Sequence, residues 1–277
     1  GDARLPVSRK NAWCAIPLSE RLVVSMCPDR LELIALSDMP LVAAGDDLAE
    51  LIAETLQRSN IQLDDHDVLV VAQKIVSKAE GRLVDLGTVV PSEQAQRRAR
   101  QTGKDPRLVE LILRESVRVV RQTDSLIITE NTIGLVMANS GVDQSNVEEG
   151  HALLLPEDPD RSALTLRQHL MQRLSRTVGV VIADSMGRAW RKGIVGHAIG
   201  VAGVEALVDL RASLDLFGRA LRATQIGLAD EIAAAATLVM GQGGEGRPVA
   251  IVRGFGGFDQ PTNAKALVRD KDRDLFR

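Results

Sequence analysis

Three short apolar runs constrain this chain most. Asp67-Val-Leu-Val-Val-Ala72, Val178 to Ala183 and Pro248 to Val252 are rich in β-branched residues and too short for buried helices. Each therefore reads as a strand covered on both faces. Helical spacing separates them, but strand and helix do not alternate in a strict βαβ rhythm. The expected class is α+β, or mixed α/β, without internal repeats and without a low-complexity linker. Aromatics are scarce, with four Phe, two Trp and no Tyr, so Leu, Val, Ile and Ala must fill the core.

The remaining elements follow from local signals. Leu31 to Leu36 alternates around Glu32 and predicts a strand. Gly45-Asp46-Asp47 opens a helix with Leu48, Leu51, Ile52, Thr55 and Leu56 on one face. Residues 92–102 and 106–121 read as two helices, the second with Pro106 in its first turn. Ser125 to Ile128 and Ile133 to Ala138 read as a hairpin around Glu130-Asn131-Thr132. A helix is expected at 162–175, a glycine-punctuated stretch at 193–203 and an alanine-rich helix from Leu228 to Met240. The last twenty residues are polar and are expected to be ordered only partly. Residues 1–30 read as an N-terminal extension, residues 31–277 as one functional domain, and Pro156-Glu-Asp-Pro159 as a seam within it at 156–160.

Bulk properties exclude several classes. A net charge of −3 and few aromatics give no basic footprint and no stacking platform for nucleic acid. No run of about 18 apolar residues spans a membrane. Arg4, Arg9 and Lys10 precede an apolar stretch, but Pro17, Ser19, Glu20 and Arg21 interrupt it, so it does not read as a signal segment. Cys14 and Cys27 are the only cysteines and read as reduced thiols in a cytoplasmic protein.

Four polar, glycine-bearing motifs stand at the ends of apolar runs, where sites sit on rigid scaffolds. They are Ser77-Lys78-Ala79-Glu80-Gly81-Arg82, Asn139 to Asn146, Ala183 to Gly193, and Gly241-Gln242-Gly243-Gly244-Glu245-Gly246. The first follows a strand expected to end near Ile75. Asp143 and Asp184 both follow β-runs and suit one crevice at strand ends. Their oxygen donors suit Mg²⁺ or Mn²⁺, and such ions commonly hold phosphates. Aspartate beside glycine or serine is also ordinary turn text, so both readings stand at this point. Lys78, Arg188, Arg191 and Lys192 suit a polyphosphate, and equally a solvated surface. The fourth motif spells G-x-G-x-x-G, but it follows a helix and precedes a strand, the reverse of a Rossmann turn. No Walker A loop is present, so the fold is neither Rossmann nor P-loop. His66, His151, His169 and His197 show no ligand spacing.

Taken in order, the motifs carry more. MPLVAAGDDLAELI (39–52), IVSKAEGR (75–82), PSEQA (91–95), NSGVDQSNVEEG (139–150), IADSMGRAWRKGIVGHAIGVAG (182–203), LADEIAAAATLVMGQGGEG (228–246) and AIVRG (250–254) closely resemble the coenzyme F420-0:L-glutamate ligase family. LFR (275–277) resembles the usual end of that region. The resemblance implies a two-part, intertwined ligase fold, a homodimer, and GTP-dependent addition of L-glutamate to a deazaflavin precursor with Mn²⁺ or Mg²⁺. It implies Asp143, Asp184, Ser185 and Gln242 as metal ligands. It implies a GTP site of Met39, Pro40, Leu41, Val42, Gln73, Lys74, Lys78, Asn146, Met240, Gly241, Gln242, Gly243, Gly244, Glu245, Gly246 and Arg247. In such a ligase Lys78, Arg188, Arg191 and Lys192 are the candidate charge-neutralising residues, and Glu80 a candidate base. A ligase with another carboxylate acceptor, or a non-catalytic nucleotide-binding relative, are the rival readings.

Overall fold

A computed structural model describes residues 28–258 and 260–274. The expected N-terminal extension up to Cys27, both cysteines and the terminal LFR lie outside the described residues. The chain begins with β1 (Glu32–Leu36), α1 (Leu48–Arg58), β2 (Val68–Ala72), α2 (Gln73–Ala79) and β3 (Leu83–Asp85). It continues through α3 (Glu93–Thr102), α4 (Pro106–Arg114), β4 (Ser116–Gln122), β5 (Ile127–Asn131), β6 (Val136–Ala138) and β7 (His151–Leu153). Then come α5 (Pro159–Leu174), β8 (Gly179–Arg188), β9 (Arg191–Ala202), β10 (Val208–Asp209), β11 (Gln225–Ile226), α6 (Leu228–Met240) and β12 (Val249–Arg253). The fold is mixed α+β, as the irregular alternation of elements required.

The main sheet runs β1-β12-β2-β8-β9. Only β2 and β8 are parallel within it; the other neighbours are antiparallel. β2 explains the layering. Its side chains alternate, and both sets are buried because helices cover both faces. Leu69 and Val71 join Ile52 of α1 and Leu170 of α5 in one core cluster. Val68 and Val70 join Ile232, Ala233 and Ala236 of α6 in the other. A third cluster lies under α3 and α4, where Val109 and Ile112 pack with Leu86, Ile127 and Ala152.

Helix α1 begins where its aspartates predicted. Asp47 Oδ1 accepts from Ala49 N at 2.9 Å and Glu50 N at 3.2 Å, and Oδ2 accepts from Arg173 on α5 at 2.5 Å. The cap thus also ties two helices together. Asp47→Ala is expected to cost about 1 kcal/mol in urea unfolding, with Asp47→Asn recovering most of it because asparagine caps equally well.

Several boundaries differ from expectation, each for a local reason. The helix expected over 106–121 ends at Arg114, and Ser116–Gln122 is strand β4, paired antiparallel with β5. Val117, Val119 and Val120 favour the pleated strand, while the Ser116 hydroxyl turns back to the Ile112 carbonyl and closes the helix end. The hairpin is present, but Glu130 and Asn131 lie in β5 and are buried rather than forming the turn. Glu130 pairs with Arg118 at 2.7 Å and Lys271 at 3.0 Å, and the Asn131 side chain accepts from Leu135 N at 2.9 Å, which moves the turn onward. The strand expected to reach Ile75 stops at Ala72, and the following motif winds into α2. The helix expected at 162–175 starts earlier, at Pro159, capped by Asp158. The strand expected to end on Asp184 runs on to Arg188. The glycine-punctuated 193–203 stretch is mostly its partner β9. At the C-terminus, Ala264–Leu267 and Lys271–Arg273 form single 3₁₀ turns.

Candidate active site

The site lies where β2 stops and β8 continues. Their parallel pairing ends at Ala72↔Ala183, so the next residue of β8, Asp184, emerges beside the first turn of α2. Lys74 and Lys78, four residues apart on α2, share one helix face and point into the same space. Gln73 turns inward instead: its amide donates to Ser77 Oγ at 2.6 Å and to the Leu154 carbonyl at 3.3 Å.

A cleft of about 420 Å³ opens here. Its walls come from Met39 to Val42, from Gln73, Lys74, Ile75 and Lys78, from Asn146, from Ala183 to Ser185, and from Met240 to Pro248. Five segments far apart in sequence therefore meet in one concavity. They include every residue expected to line a nucleotide site, and Asp184, Ser185 and Gln242 from the expected metal set. The sequence reading missed Ala72, Ile75, Ala183 and Pro248, which contribute apolar wall; nothing distinguishes them from core residues in the sequence. It also gave no role to Ser145, although Ser145 stands in a quoted motif.

Asp143 sits behind Lys74 rather than on the cleft wall. It follows the turn Asn139-Ser140-Gly141, whose φ angles of 53°, 56° and 76° are all left-handed. It is then fixed by a bridge to Leu153, with Asp143 N and O bonded to Leu153 O and N at 3.0 and 2.8 Å. The Lys74 ammonium contacts Asp143 Oδ2 and donates to Ser145 Oγ at 2.9 Å. Lys78 Nζ donates to the Asn146 carbonyl at 2.9 Å. Across the cleft, Asn146 Nδ2 donates to the Gly243 carbonyl at 3.3 Å, closing a contact between two walls. Gly243 N donates to Glu245 Oε2 at 2.8 Å, so an amide of the glycine-rich loop already holds a carboxylate.

The electrostatics are unusual at two groups. Burial pushes the Asp184 carboxyl up to about 6, against a smaller opposing effect from the Ser185 amide and from Lys74. Burial likewise holds the Lys74 ammonium below the usual lysine range; Asp184 opposes that and Lys78 adds to it. Buried, shifted groups of opposite charge that line one cleft are a common mark of functional sites.

The atoms beside Asp184 that could ligate a cation are oxygens. Its Oδ1 accepts from Ser185 N at 2.9 Å, and Ser185 Oγ contacts Gln242 Oε1. Among the described residues no group of three or more His, Cys, Asp or Glu side chains converges. One carboxylate, a hydroxyl and an amide oxygen still fit a hard divalent cation that takes its other ligands from phosphate and water.

Other expected site residues lie elsewhere. Glu80 contacts Ser162 Oγ and lines a separate cavity with Asp47, Asp158 and His169. Arg188, Arg191 and Lys192 sit on the β8–β9 arm. There Arg188 Nη2 donates to the Lys192 carbonyl at 3.1 Å, and its buried Nε has no partner among the described residues. None of the four histidines lines the cleft.

A strand end, a lysine-bearing helix and a glycine-rich loop thus enclose a cleft of mixed apolar and charged lining in an α+β fold, the arrangement of a candidate enzyme active site. Comparison with known proteins makes this specific. The sequence model of the F420-0:Gamma-glutamyl ligase family matches residues 37–254. The chain is 49% identical over 240 residues to the coenzyme F420:L-glutamate ligase of Methanopyrus kandleri, covering 85% of this chain and 93% of that protein. It is 45% identical over 249 residues to that of Methanothermobacter thermautotrophicus, covering 89% and 99%. It is 42% identical over 248 residues to that of Archaeoglobus fulgidus, covering 90% and 97%. The chain belongs to the F420-0:gamma-glutamyl ligase family and is a ligase. No helix among the described residues is long and apolar enough to cross a membrane.

Proposed function

We propose that the chain joins L-glutamate to the carboxylate of coenzyme F420-0, a deazaflavin precursor, using GTP, and that the cleft at the end of β2 is the nucleotide site. The observation that carries this is the meeting of residues 39–42, 73–75, 78, 146, 184–185 and 240–247 in one concavity in a chain of this family. A carboxylate is a poor acyl donor because its leaving group would be an oxide. Transfer of the γ-phosphoryl group gives GDP and an acyl phosphate. The glutamate amine then attacks the acyl carbon, phosphate leaves, and the amine loses a proton.

Most of the catalytic work is orientation and charge neutralisation. Lys78 reaches the cleft from α2 and neutralises phosphate as a point charge. The loop from Gly241 to Gly246 offers backbone amides to phosphate oxygens, with Gly241 and Gly246 at φ of 81° and 68° shaping the turn. Asp184, Ser185 and Gln242 would hold Mn²⁺ or Mg²⁺, with Asp143 adding a second carboxylate. Such an ion, when bound, offsets the charge of the phosphate oxygens. Arg188, Arg191 and Lys192 on the arm, and Glu80 in the neighbouring cavity, are assigned to acceptor and glutamate rather than to nucleotide.

A homodimer fits the surface. The arm exposes Trp190 and Ile194, and α6 exposes Leu238, which is apolar area a second copy would cover. Light scattering should then give twice the chain mass.

The activity test is incubation with GTP, Mn²⁺, glutamate and coenzyme F420-0, followed by mass measurement. A product heavier by one or more glutamyl units, with equimolar GDP and phosphate, is expected. Unchanged precursor beside intact GTP would favour a non-catalytic nucleotide-binding protein. GTP consumption with another carboxylate only would point to a different acceptor. A narrower test concerns Lys78. Lys78→Ala is expected to weaken GTP binding by roughly tenfold at low salt and by less as salt screens the lost charge. Unchanged affinity and unchanged salt dependence in calorimetry would remove Lys78 from the site.

A further inference from the structure

The Lys74 side chain occupies a place no other residue of the cleft does. Its ammonium contacts Asp143 Oδ2 and Ser145 Oγ, and its charge also acts on Asp184. It therefore touches one, and acts electrostatically on the other, of the two carboxylates that the proposed ligase would use for a cation. Among the described residues the Asp143 carboxylate otherwise bonds within its own loop, where Oδ1 accepts from Ser145 N at 2.8 Å and Oδ2 from Ser145 Oγ at 3.0 Å. The Lys74 side chain, which lines the cleft, is 27% exposed and Asp143 behind it 38%, so the pair is open to solvent and not sealed in the core.

We infer that Lys74 is a built-in counter-ion that holds the Asp143 position until nucleotide and divalent cation arrive together. This rests on the cleft being the nucleotide and cation site. A divalent ion beside Asp143 and an ammonium on the same oxygen would repel strongly at such short range. The lysine must swing away for the ion to enter. Its flexible four-carbon stem permits that, and the phosphates brought in with the cation offer the displaced ammonium a new partner beside Lys78. Free cation brings no such partner. The lysine thus disfavours cation alone and favours cation with nucleotide, which selects the order of assembly and keeps the two carboxylates apart from stray metal.

The test compares the parent with Lys74→Met, which keeps the stem and removes the charge. Three titrations are made by calorimetry: Mn²⁺ alone, GTP alone, and GTP with Mn²⁺ present. The expected result has opposite signs. Lys74→Met binds Mn²⁺ alone at least about fivefold more tightly than the parent, and binds GTP with Mn²⁺ at least about fivefold more weakly. A lysine that merely supports the loop would weaken both ligands. A lysine that serves only as a phosphate contact would weaken GTP and leave Mn²⁺ unchanged. Either outcome overturns the inference. If the parent binds GTP with no dependence on Mn²⁺ and neither protein binds Mn²⁺, the cation site fails along with the inference. If neither protein binds GTP under any condition, the nucleotide site fails too.

Discussion

Asp184→Asn is expected to lower turnover by two to three orders of magnitude while leaving a folded protein at least as stable as the parent near neutral pH. The two halves of this result have one cause. In the fold the carboxyl titrates at about 6, against an ordinary value of 3.8. The raised value means that the ionised form is disfavoured by folding. Below pH 3.8 the group is protonated in both states and costs nothing; the cost builds as pH rises through the folded value of about 6 and is constant above it. A shift of about two units corresponds to roughly 3 kcal/mol as an upper figure, since the side chain is not fully sealed from water. Asparagine lacks the charge and escapes the cost, so unfolding at neutral pH should show equal or greater stability, and the difference should vanish on acidification. Divalent cation should raise the melting temperature of the parent and not of the variant. A variant with near-parental turnover at saturating Mn²⁺ would remove Asp184 from the site.

Gly200→Ala is expected to destabilise the protein by about 3 kcal/mol or more, without any change to a site residue. A Cβ at Gly200 would lie 2.2 Å from the Pro159 carbonyl oxygen and 2.5 Å from its carbon. These are backbone atoms of the first turn of α5, which cannot move alone. Val201 of β9 and Ala264 donate their N–H groups to Asp160 Oδ1 at 2.9 and 2.8 Å, so two segments hold the helix start in place. The melting temperature should fall by about 10 °C. Gly256→Ala is the control, because a Cβ there meets nothing within 4 Å. Equal melting temperatures for the two variants would mean that α5 does not press on β9 as described.

That same glycine shows where the sequence is opaque. Gly196 and Gly200 look like punctuation in a glycine-punctuated stretch to which the sequence assigns no element. In the fold they are strand positions where helices approach closely: a Cβ at Gly196 would meet the Ala233 carbonyl of α6 at 2.7 Å. That requirement comes from elements far away in sequence and leaves no local mark. β4 was hidden differently. Leu108 to Arg114 carries strong helical spacing, and continuing it across Val117 to Val120 is natural until the Ser116 hydroxyl closes the helix. β2 and β12 were legible as short β-branched runs, α1 by its helical spacing and aspartate cap, and α6 by its alanine-rich run. The cleft was half legible. The motifs named its walls, but Asp143 and Asp184 looked equivalent. Only the fold places Asp184 on the wall within a long strand and Asp143 behind Lys74. The arm bearing Arg188, Arg191 and Lys192 was likewise readable as a motif, but that these residues do not line the cleft was not.

The most direct measurement follows the oxygen atoms. Coenzyme F420-0 labelled with ¹⁸O in both oxygens of its acceptor carboxylate is incubated with the protein, GTP, Mn²⁺ and glutamate, and the products are weighed. Transfer of the γ-phosphoryl group to that carboxylate carries one labelled oxygen into the released phosphate and leaves the other in the amide. The expected result is therefore singly labelled phosphate with unlabelled GDP. Label in GMP together with released pyrophosphate, or phosphate without label, would contradict it.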